Sequence, residues 1–566
     1  MAKPTCSQLL FSRQAVAFTG VRFAWSRSIL LTILTILIGL ATQALATRHE
    51  RLIDSWKPIN YNISLTLNDR LTEITTAKAE ITILSLADTL SAIDLDFGEL
   101  AVDSVTVNNH AAPYARPPGR LNIQLTAPVR RGASVKVVVS YHGKPANGLI
   151  LSADKAGKPS AVGDNWPDRL HNWVPCLDHP AAKATVTFSV TAPSANAVVA
   201  NGKLARVEQT SKTSRTWTYT EAVPIPPYCM IIAVGDFARL EAANEVTPLS
   251  YYVPQPDRAF AMQGFAPANP SLKFFTETIA PYPYEKLALI VGATRFGGME
   301  NSSAIVFRSS LFDPKLELPA SNMFGVREGV VEVIAHEIAH QWFGDSVTES
   351  TWSDLWLSEG FAQYFAGLFV RRHEGEAAFQ SYMKRQADDY FRFEKETRRP
   401  IHDTETEDLF KLLNANNYQK GAWVLHMLRS ELGDEKFFNG VRLYYESHRN
   451  ATATSEDLRR ALEKASGKDL KEFFTSWIYG AGHPRYQLLW EWNDRTNKLK
   501  LVLHQLQAEP SFPNSLPIDI ITASGKRRVI MKPSSKQTTE EFELDQAPTG
   551  VNVDPDNTVL KEVSVT

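Results

Sequence analysis

The sequence contains little cysteine and no excess of basic charge. Only three of its 566 residues are cysteines, and no cysteine spacing suggests a metal site or a nucleophile. The 60 basic and 62 acidic residues give a formal net charge of −2. A protein that binds nucleic acid through its phosphates carries a basic surplus, so this composition argues against nucleic acid as a partner.

Long apolar runs are scarce too, but one near the start is informative. Ile29 to Leu40 is nearly all aliphatic and is followed by Ala44-Leu45-Ala46. The charges before it are all basic: Lys3, Arg13, Arg22 and Arg27. Because the run is shorter than the about 20 residues of a membrane span, we predict a signal peptide, residues 1–46, cleaved after Ala46. The protein would then be periplasmic or extracellular; the alternative is an uncleaved membrane anchor, residues 29–46.

Cys6 falls in this leader, which leaves Cys176 and Cys229. Export permits a disulfide, whereas two cysteines in strand-rich sequence are equally well explained as small buried apolar residues. The sequence leaves both possibilities open.

The remaining chain has the composition of a soluble globular protein, with 44% hydrophobic and 22% charged residues. Its length predicts several domains. Residues 47–247 alternate in the manner of strands, 248–480 start with strands and become mostly helical, and 481–566 return to alternation after His483-Pro484. The pattern indicates a multidomain α+β protein.

The most informative stretch is VVEVIAHEIAHQWFGD, residues 330–345. Apolar residues recur at helical spacing, and Gly344 supplies a stop, so we predict a helix. Residues four apart share one helix face, which lets His336 and His340 direct two imidazoles at one zinc ion. Glu337 lies beside that point, placed to take a proton from metal-activated water.

A third ligand is expected because catalytic zinc usually has three protein ligands and one open position. Eighteen residues separate Glu359 from His340, and Glu359 lies in the second predicted helix, LWLSEGFAQYF. The surrounding aromatic residues are a poor environment for an unpaired carboxylate. We therefore predict Glu359 as the third zinc ligand.

Four motifs in this order resemble the aminopeptidase N family of zinc metallopeptidases. They are Pro175-Cys176-x-Asp178-x-Pro180, Gly297-Gly298-Met299-Glu300-Asn301, His336-Glu337-x-x-His340 with Glu359, and Tyr418-x-Lys420-Gly421. The resemblance is to a secreted, bacterial-type member. Many relatives carry a further large helical domain; none is expected here, and we hypothesise a more open cleft unless dimerisation covers it.

The resemblance implies a role for each motif. One Zn²⁺ per chain would be held by His336, His340 and Glu359, with Glu337 as general base. Tyr418 would donate to the oxyanion of the tetrahedral intermediate. Gly297, Gly298, Met299, Glu300 and Asn301 would bind substrate, with Glu300 pairing with its terminal ammonium. The implied activity is hydrolysis of the amino-terminal residue from peptides with a free amino terminus.

The resemblance also implies the architecture. Residues 47–247 would form an amino-terminal β-sandwich or saddle domain, 248–480 a thermolysin-like α/β catalytic domain, and 481–566 a small carboxyl-terminal β-sandwich. The oligomeric state is not predicted, and a membrane contact is expected only if the leader stays uncleaved.

The sequence departs from the family pattern at two places. Where relatives carry a second amine-binding side chain, this chain has GDNWPD, residues 163–168, so Asp164 and Asn165 are candidates only and Trp166 is a candidate wall of the first subsite. The usual Trp-Gly after Asn301 is replaced by Ser302-Ser303.

Three alternative functions are weighed against the aminopeptidase. One is a hydrolase of non-peptide substrates, similar to the leukotriene hydrolase branch, and another is a noncatalytic peptide-binding scaffold. The scaffold is disfavoured because every predicted zinc ligand and the general base are present. An endopeptidase is disfavoured by Glu300.

Overall fold

The computed structural model describes residues 47–312, 329–508, 510–533 and 535–566. The chain divides into two units, Met1–His49 and Glu50–Thr566, and the fold described below is that of the second. The predicted signal peptide lies outside the described residues. Among the residues that are described, no helix is both long and apolar enough to span a bilayer.

The amino-terminal region consists of strands, and its alternating sequence explains them. Along Ala184–Pro193, for example, every second residue is buried, as expected for a strand with one face on a core. The strands are β1 Trp56–Leu67, β2 Ile74–Ser85, β3 Thr89–Asp96, β4 Ala101–Val107, β5 His110–Ala111, β6 Tyr114–Ala115, β7 Arg120–Arg130, β8 Ser134–Gly143, β9 Leu149–Ala153, β10 Pro159–Gly163, β11 Ala184–Pro193, β12 Ala197–Ala200, β13 Lys203–Gln209, β14 Ser214–Ile225, β15 Ile232–Gly235 and β16 Phe237–Ala242.

These strands form three sheets, apart from β16. The largest has the order β13-β14-β11-β1-β2-β8-β4-β5, in which β1 and β11 run parallel. Strands β3-β7-β6 form a second sheet, and β12-β15-β10-β9 form a third. Large apolar side chains of this region, such as Trp56, Tyr61, Trp173 and Phe188, are buried in one core.

The next region starts with strands and becomes mostly helical. Its strands are β17 Leu249–Pro254, β18 Leu287–Gly292, β19 Gly298–Met299, β20 Ala304–Arg308, β21 Val347–Glu349 and β22 Ala451–Ala453. Its α-helices are α1 Ala261–Gly264, α2 Ala268–Thr278, α3 Val330–Ala339, α4 Trp356–Glu374, α5 Glu376–Glu396, α6 Gly421–Leu432, α7 Asp434–His448, α8 Ser455–Ser466 and α9 Lys471–Trp477. A π-helical turn, Asn416–Lys420, leads directly into α6.

A five-stranded sheet connects this region to the preceding one. Its order is β16-β17-β18-β20-β19, which leaves the short strand β19 at one edge. One face of the sheet packs against the sheet β12-β15-β10-β9: Val162, Ile231 and Ala233 meet Ile290 and Val306 in one apolar cluster. The two regions therefore share a buried apolar interface.

The helix that carries the H-E-x-x-H motif ends earlier than the sequence pattern predicts. Helix α3 stops at Ala339, and His340 caps it. Beyond it the chain turns, with Asp345 N–H donating to His340 O at 3.0 Å and Gly344 N–H to Val347 O at 2.8 Å. Gly344 has a φ of 119°, which a residue with a side chain rarely adopts.

The carboxyl-terminal region is again made of strands. They are β23 Arg485–Asn493, β24 Lys498–Gln505, β25 Leu516–Thr522, β26 Gly525–Met531, β27 Gln537–Glu543, β28 Pro548–Val553 and β29 Glu562–Val565. They form two sheets of order β27-β24-β23-β29 and β26-β25-β28. Leu488, Leu501 and Ile518 of these sheets belong to the same core as the helices.

The predicted order of a β-rich amino-terminal region and a helix-containing catalytic region is confirmed. The finer assignments, a saddle, a thermolysin-like domain and a small terminal sandwich with their boundaries, stay predictions.

Cys176 and Cys229 are free thiols, and both are fully buried. Burial raises the pKa of each thiol well above its usual value, so neither behaves as a thiolate. The disulfide that export would permit is not formed.

We therefore expect protein that starts at residue 47 to release two reactive thiols only when it unfolds. The measurement is a thiol titration in buffer and in guanidinium, without reductant. Close to none should react in the native state and two in the denatured state. A requirement for reductant before any thiol appears would show that Cys176 and Cys229 are paired.

Candidate metal centre and active site

Three predicted ligands meet at one point. His336 lies on α3, His340 caps it, and Glu359 lies in the first turn of α4. The Nε2 atoms of the two histidines are 2.9 Å apart, and each is 3.3 Å from Glu359 Oε2. All three side chains are buried. Within the described residues they form the group of His, Cys, Asp or Glu side chains suited to hold a metal ion.

This spacing suits zinc. A tetrahedral ion with bonds of about 2.0–2.1 Å holds its ligand atoms about 3.3–3.4 Å apart. The observed 2.9–3.3 Å between ligand atoms is close to that value. Two imidazole nitrogens and a carboxylate oxygen are also the donor set that zinc prefers.

Glu359 is held in the ionised form that a ligand needs. Burial alone would raise the pKa of its carboxyl, but the charge of His340 and a hydrogen bond from His336 lower it well below its usual range. The carboxylate therefore faces the histidines as an anion.

The orientation of His340 is set by its other nitrogen. Nδ1 lies 3.0 Å from Phe343 O and 3.0 Å from Ser358 Oγ. The carbonyl can only accept, so Nδ1 carries a proton, which leaves Nε2 as the nitrogen that would bind a metal ion. A β-carbon on Gly344 would lie 2.3 Å from Ser358 Oγ, so the glycine leaves room for this contact.

Tyr418 lies beside the ligands on the π-helical turn. Its ring stacks on His336 at 5.9 Å between centroids, with 7° between the planes. Burial raises the pKa of Tyr418 well above its usual value, and the Glu359 carboxylate raises it further, so its hydroxyl remains a proton donor.

A pair of glycines brings Tyr418 close to Glu359. A β-carbon on Gly360 would lie 2.9 Å from Gly421 Cα, and the reverse distance is the same. Helices α4 and α6 thus touch through their backbones immediately after Glu359 and the Tyr418 turn. Only glycine permits so close an approach.

Strand β19 faces the centre from the other side. It is antiparallel to β20, with Gly298 opposite Phe307 and Met299 opposite Val306. A β-carbon on Gly298 would lie 2.4 Å from Cγ, Cδ and Oε1 of Glu337. The strand edge is therefore in direct contact with the predicted general base.

Glu300 follows this strand and is buried, with 6% of its surface exposed. Burial raises the pKa of its carboxyl; His340 opposes the shift and Glu359 adds to it. A buried carboxylate in such surroundings is costly without a cation. Its backbone is held by Gln341, whose Nε2 donates to Glu300 O at 2.9 Å and whose Oε1 accepts from Ser303 N–H at 2.8 Å.

Comparison with known proteins identifies the family. Residues 57–229 match the Peptidase M1 N-terminal domain, and residues 265–477 match the Peptidase family M1 domain. The chain belongs to peptidase family M1. The predicted resemblance is thereby confirmed, and both matches fall on the regions that build the site.

Curated relatives agree with this assignment. Human glutamyl aminopeptidase is 31% identical over 343 residues, 58% of this chain and 35% of the relative. Tricorn protease-interacting factor F2 of Thermoplasma acidophilum is 27% identical over 469 residues, 80% of this chain and 57% of the relative. Probable aminopeptidase 2 of Sulfurisphaera tokodaii is 31% identical over 333 residues, which are 55% of this chain and 40% of the relative. The matches span 35% to 57% of these M1 relatives.

Three further residues of the M1 motif, Gly297, Met299 and Asn301, surround Gly298 and Glu300 in the sequence. Gly297 is next to open space. Met299 is buried in an aromatic cluster, and Asn301 is buried with its amide donating to Met299 O at 3.2 Å. Asn301 thus supports the strand end through its neighbour's carbonyl.

The two candidates for a second amine-binding group are occupied with other contacts. Asp164 accepts from Arg169 Nη2 at 3.0 Å and from Thr294 Oγ1 at 3.1 Å. Asn165 donates to Met230 O and accepts from Trp173 Nε1 at 2.9 Å. Both side chains are fully buried, so their contacts support the loop that carries Trp166.

Trp166 is the centre of an aromatic cluster next to β19. Its ring meets Phe296, Trp352 and Phe410 edge to face, at centroid distances of 5.7–6.0 Å. Met299 packs in the same cluster.

Sequence reasoning missed the residues that orient the site, namely Gln341, Ser358, Gly360 and Gly421. The glycines lie inside motifs that were identified for other residues. A glycine in a motif can indicate a close approach of two backbones, so these two could have been predicted. Gln341 and Ser358 act through contacts 38 to 41 and 18 residues away along the chain, which no local pattern reveals.

We expect the purified protein to bind one zinc ion per chain through this centre. His336→Ala removes one of three ligands and should weaken zinc binding by more than about 100-fold, since loss of an outer-shell partner alone costs about 10–100-fold. Competition with a chromogenic chelator measures the affinity. His373→Ala, an exposed histidine of α4, is the matched control and should bind as the wild type does. Retention of one tightly bound zinc in the His336 variant would contradict the ligand assignment.

Proposed function

We propose that this chain is a zinc-dependent aminopeptidase that hydrolyses the amino-terminal residue from peptides. The observation that carries the proposal is the contact between β19 and Glu337, together with the buried carboxylate of Glu300 directly after this strand, whose pKa responds to His340 and Glu359. Membership of family M1 and relatives named aminopeptidases support it.

In the proposed reaction His336, His340 and Glu359 hold the zinc ion. Bound zinc supplies a Lewis acid that lowers the pKa of a water molecule and polarises the peptide carbonyl. The Glu337 carboxylate takes the proton of the attacking water and passes it to the leaving nitrogen. Its contact with Gly298 restricts where that carboxylate can lie.

Tyr418 completes the proposed machinery. Its hydroxyl donates a hydrogen bond to the oxygen of the carbonyl as negative charge develops there. Such a donor typically contributes about 10²–10³ in turnover. Support comes from its stacking on His336 and its place on a π-helical turn, a distortion that is frequent at functional sites.

Glu300 gives the proposed site its preference for chain ends. A peptide with a free amino terminus brings an ammonium group that pairs with this buried carboxylate, whereas an internal peptide brings none. The backbone of Gly297 and Gly298, on an edge strand, offers hydrogen-bonding groups to an extended substrate. Asp164 and Asn165 are held by other partners, so Glu300 is the amine-binding side chain we propose.

We further propose that the first subsite is apolar. Met299, directly before Glu300, packs with Trp166, and Phe296 and Phe410 contact the same indole. A charged substrate side chain against this wall would lose hydration without a partner. The relatives named glutamyl aminopeptidase carry a name that implies a different preference.

The first test of this function is a panel of aminoacyl chromogenic amides, each with and without an amino-terminal acetyl group. We expect release from free-amine substrates only, loss with a chelator, and recovery with zinc. Leucyl, methionyl and phenylalanyl amides should exceed the glutamyl amide in kcat/KM by about tenfold or more. Equal cleavage of acetylated substrates would contradict the role of Glu300, and zinc binding without turnover would contradict the peptidase.

The Glu300→Gln variant tests whether this side chain binds the free amine of the substrate. Because it removes a buried charge without changing shape, we expect kcat/KM to fall at least about 30-fold. Glu245→Gln, on an exposed carboxylate, is the control and should leave kcat/KM unchanged.

The glycine contact with Glu337 gives a second test. In Gly298→Ala the new methyl group would displace the flexible Glu337 side chain rather than the backbone, so the protein folds but loses its base. We expect turnover to fall by about 10²-fold or more, the usual contribution of a general base, with zinc affinity unchanged.

Gly297→Ala is the matched control, since a β-carbon there meets no atom within 4 Å. It should retain turnover within a few-fold of the wild type. Equal activity of the two alanine variants would show that Glu337 does not act from the position in contact with Gly298.

A further inference from the structure

The segment that follows α3 positions the zinc ligand His340. We call residues 341–346 the ligand turn. Its Phe343 carbonyl lies 3.0 Å from His340 Nδ1, and its Asp345 N–H donates to His340 O at 3.0 Å. Gln341, in the same turn, donates to Asp345 Oδ2 at 2.8 Å. The orientation of His340 therefore depends on the shape of this turn.

One lysine of the amino-terminal region holds the end of the turn. Lys183 lies directly before β11, and its Nζ donates to Asp345 O at 2.8 Å and to Ser346 O at 2.7 Å. It also reaches Thr348 Oγ1 at 3.0 Å and, more weakly, Ala451 O at 3.4 Å. A single ammonium thus joins oxygens that lie more than 160 residues away in the chain.

Two further side chains of the same region reach the turn. Tyr228 OH donates to Gly344 O at 3.3 Å, and Cys229 Sγ lies 3.2 Å from Asp345 Oδ1. Both contacts are long or weak compared with those of Lys183. Lys183 is therefore the principal polar link between the amino-terminal strands and the ligand turn.

The buried ammonium group of Lys183 needs hydrogen-bond acceptors to offset the cost of its desolvation. Burial lowers the pKa of Lys183 to about 7, while the neighbouring carboxyl groups of Asp345 and Glu349 act in the opposite direction. A desolvated ammonium is costly unless its protons are bonded, and here several oxygens accept them. A neutral apolar side chain of equal length would remove this donor from Ser346 O and would leave Asp345 O with the Thr348 hydroxyl.

We propose that Lys183 is a positioning residue for the zinc centre. By bonding Asp345 and Ser346 it fixes the ligand turn, and the turn fixes the Nδ1 partner and hence the ring orientation of His340. The amino-terminal region thereby contributes to metal affinity, although it supplies no ligand. The inference rests on the zinc site of the proposed function but not on the identity of the substrate.

The test is zinc affinity of Lys183→Met, measured in the full chain by competition with a chromogenic chelator. Methionine keeps the length of the side chain and removes the ammonium. We expect zinc to bind about 10–100-fold more weakly, as for loss of an orienting partner of a metal ligand. Lys203→Met, at an exposed lysine of β13, is the matched control and should bind zinc as the wild type does.

A cobalt-substituted sample separates positioning from mere stability. If Lys183 positions His340, the visible absorption bands of the cobalt form should change in Lys183→Met, because they report ligand geometry. A structural role alone would lower the unfolding temperature and leave both zinc affinity and spectrum unchanged, which would overturn the proposal. Failure of the wild type itself to bind zinc would overturn the proposed function together with this inference.

Thr348→Val gives a milder variant in case Lys183→Met does not fold. It removes the hydroxyl that accepts from Lys183 and donates to Asp345 O at 3.1 Å. Loss of about one hydrogen bond predicts zinc binding about two- to tenfold weaker. Unchanged affinity in folded Thr348→Val would count against the ligand turn as the means by which Lys183 acts.

Discussion

Three buried ligand atoms within 3.3 Å of one another are the constraint that the rest of this structure has to meet. A cation held between two imidazoles and a carboxylate would offset the cost of burying these polar groups together. Rigid packing behind the ligands holds them there: Phe343 and Phe361 lie 4.2 Å apart between centroids, and Phe361 packs on Tyr444. The hydrophobic core thus maintains a polar geometry that would not persist alone.

Glycines, which have no side chain, shape this site as much as the residues with side chains do. At Gly298 the missing β-carbon leaves the space that Glu337 occupies, and at Gly360 and Gly421 it lets two helices meet through their backbones. Each of these glycines is adjacent or close to a residue with a proposed chemical role. The motifs therefore encode two kinds of information, the reacting groups and the space around them.

Local patterns account for what could be predicted. The i, i+4 histidines, the alternating strands and the helix that carries Glu359 follow from periodicity, and all are present as expected. The early end of α3 was not predictable, because it depends on a hydrogen bond between His340 and Phe343 in the folded turn. Asp164 and Asn165 were suggested by position alone, and partners distant in the sequence, such as Thr294 and Met230, decide what they do.

Contacts between residues distant in the sequence also explain why the amino-terminal strands matter for the metal centre. Every predicted zinc ligand comes from the helical region, and the sequence assigns the amino-terminal region only candidate substrate contacts, at Asp164, Asn165 and Trp166. Yet the ligand turn is bonded to Lys183, and the backbone of Glu300 is held by Gln341 of that turn. One short segment therefore connects three things: the orientation of His340, the proposed amine-binding strand, and the docking of the amino-terminal region. A change in the packing of the two regions would therefore alter both the orientation of His340 and the position of the proposed amine-binding strand.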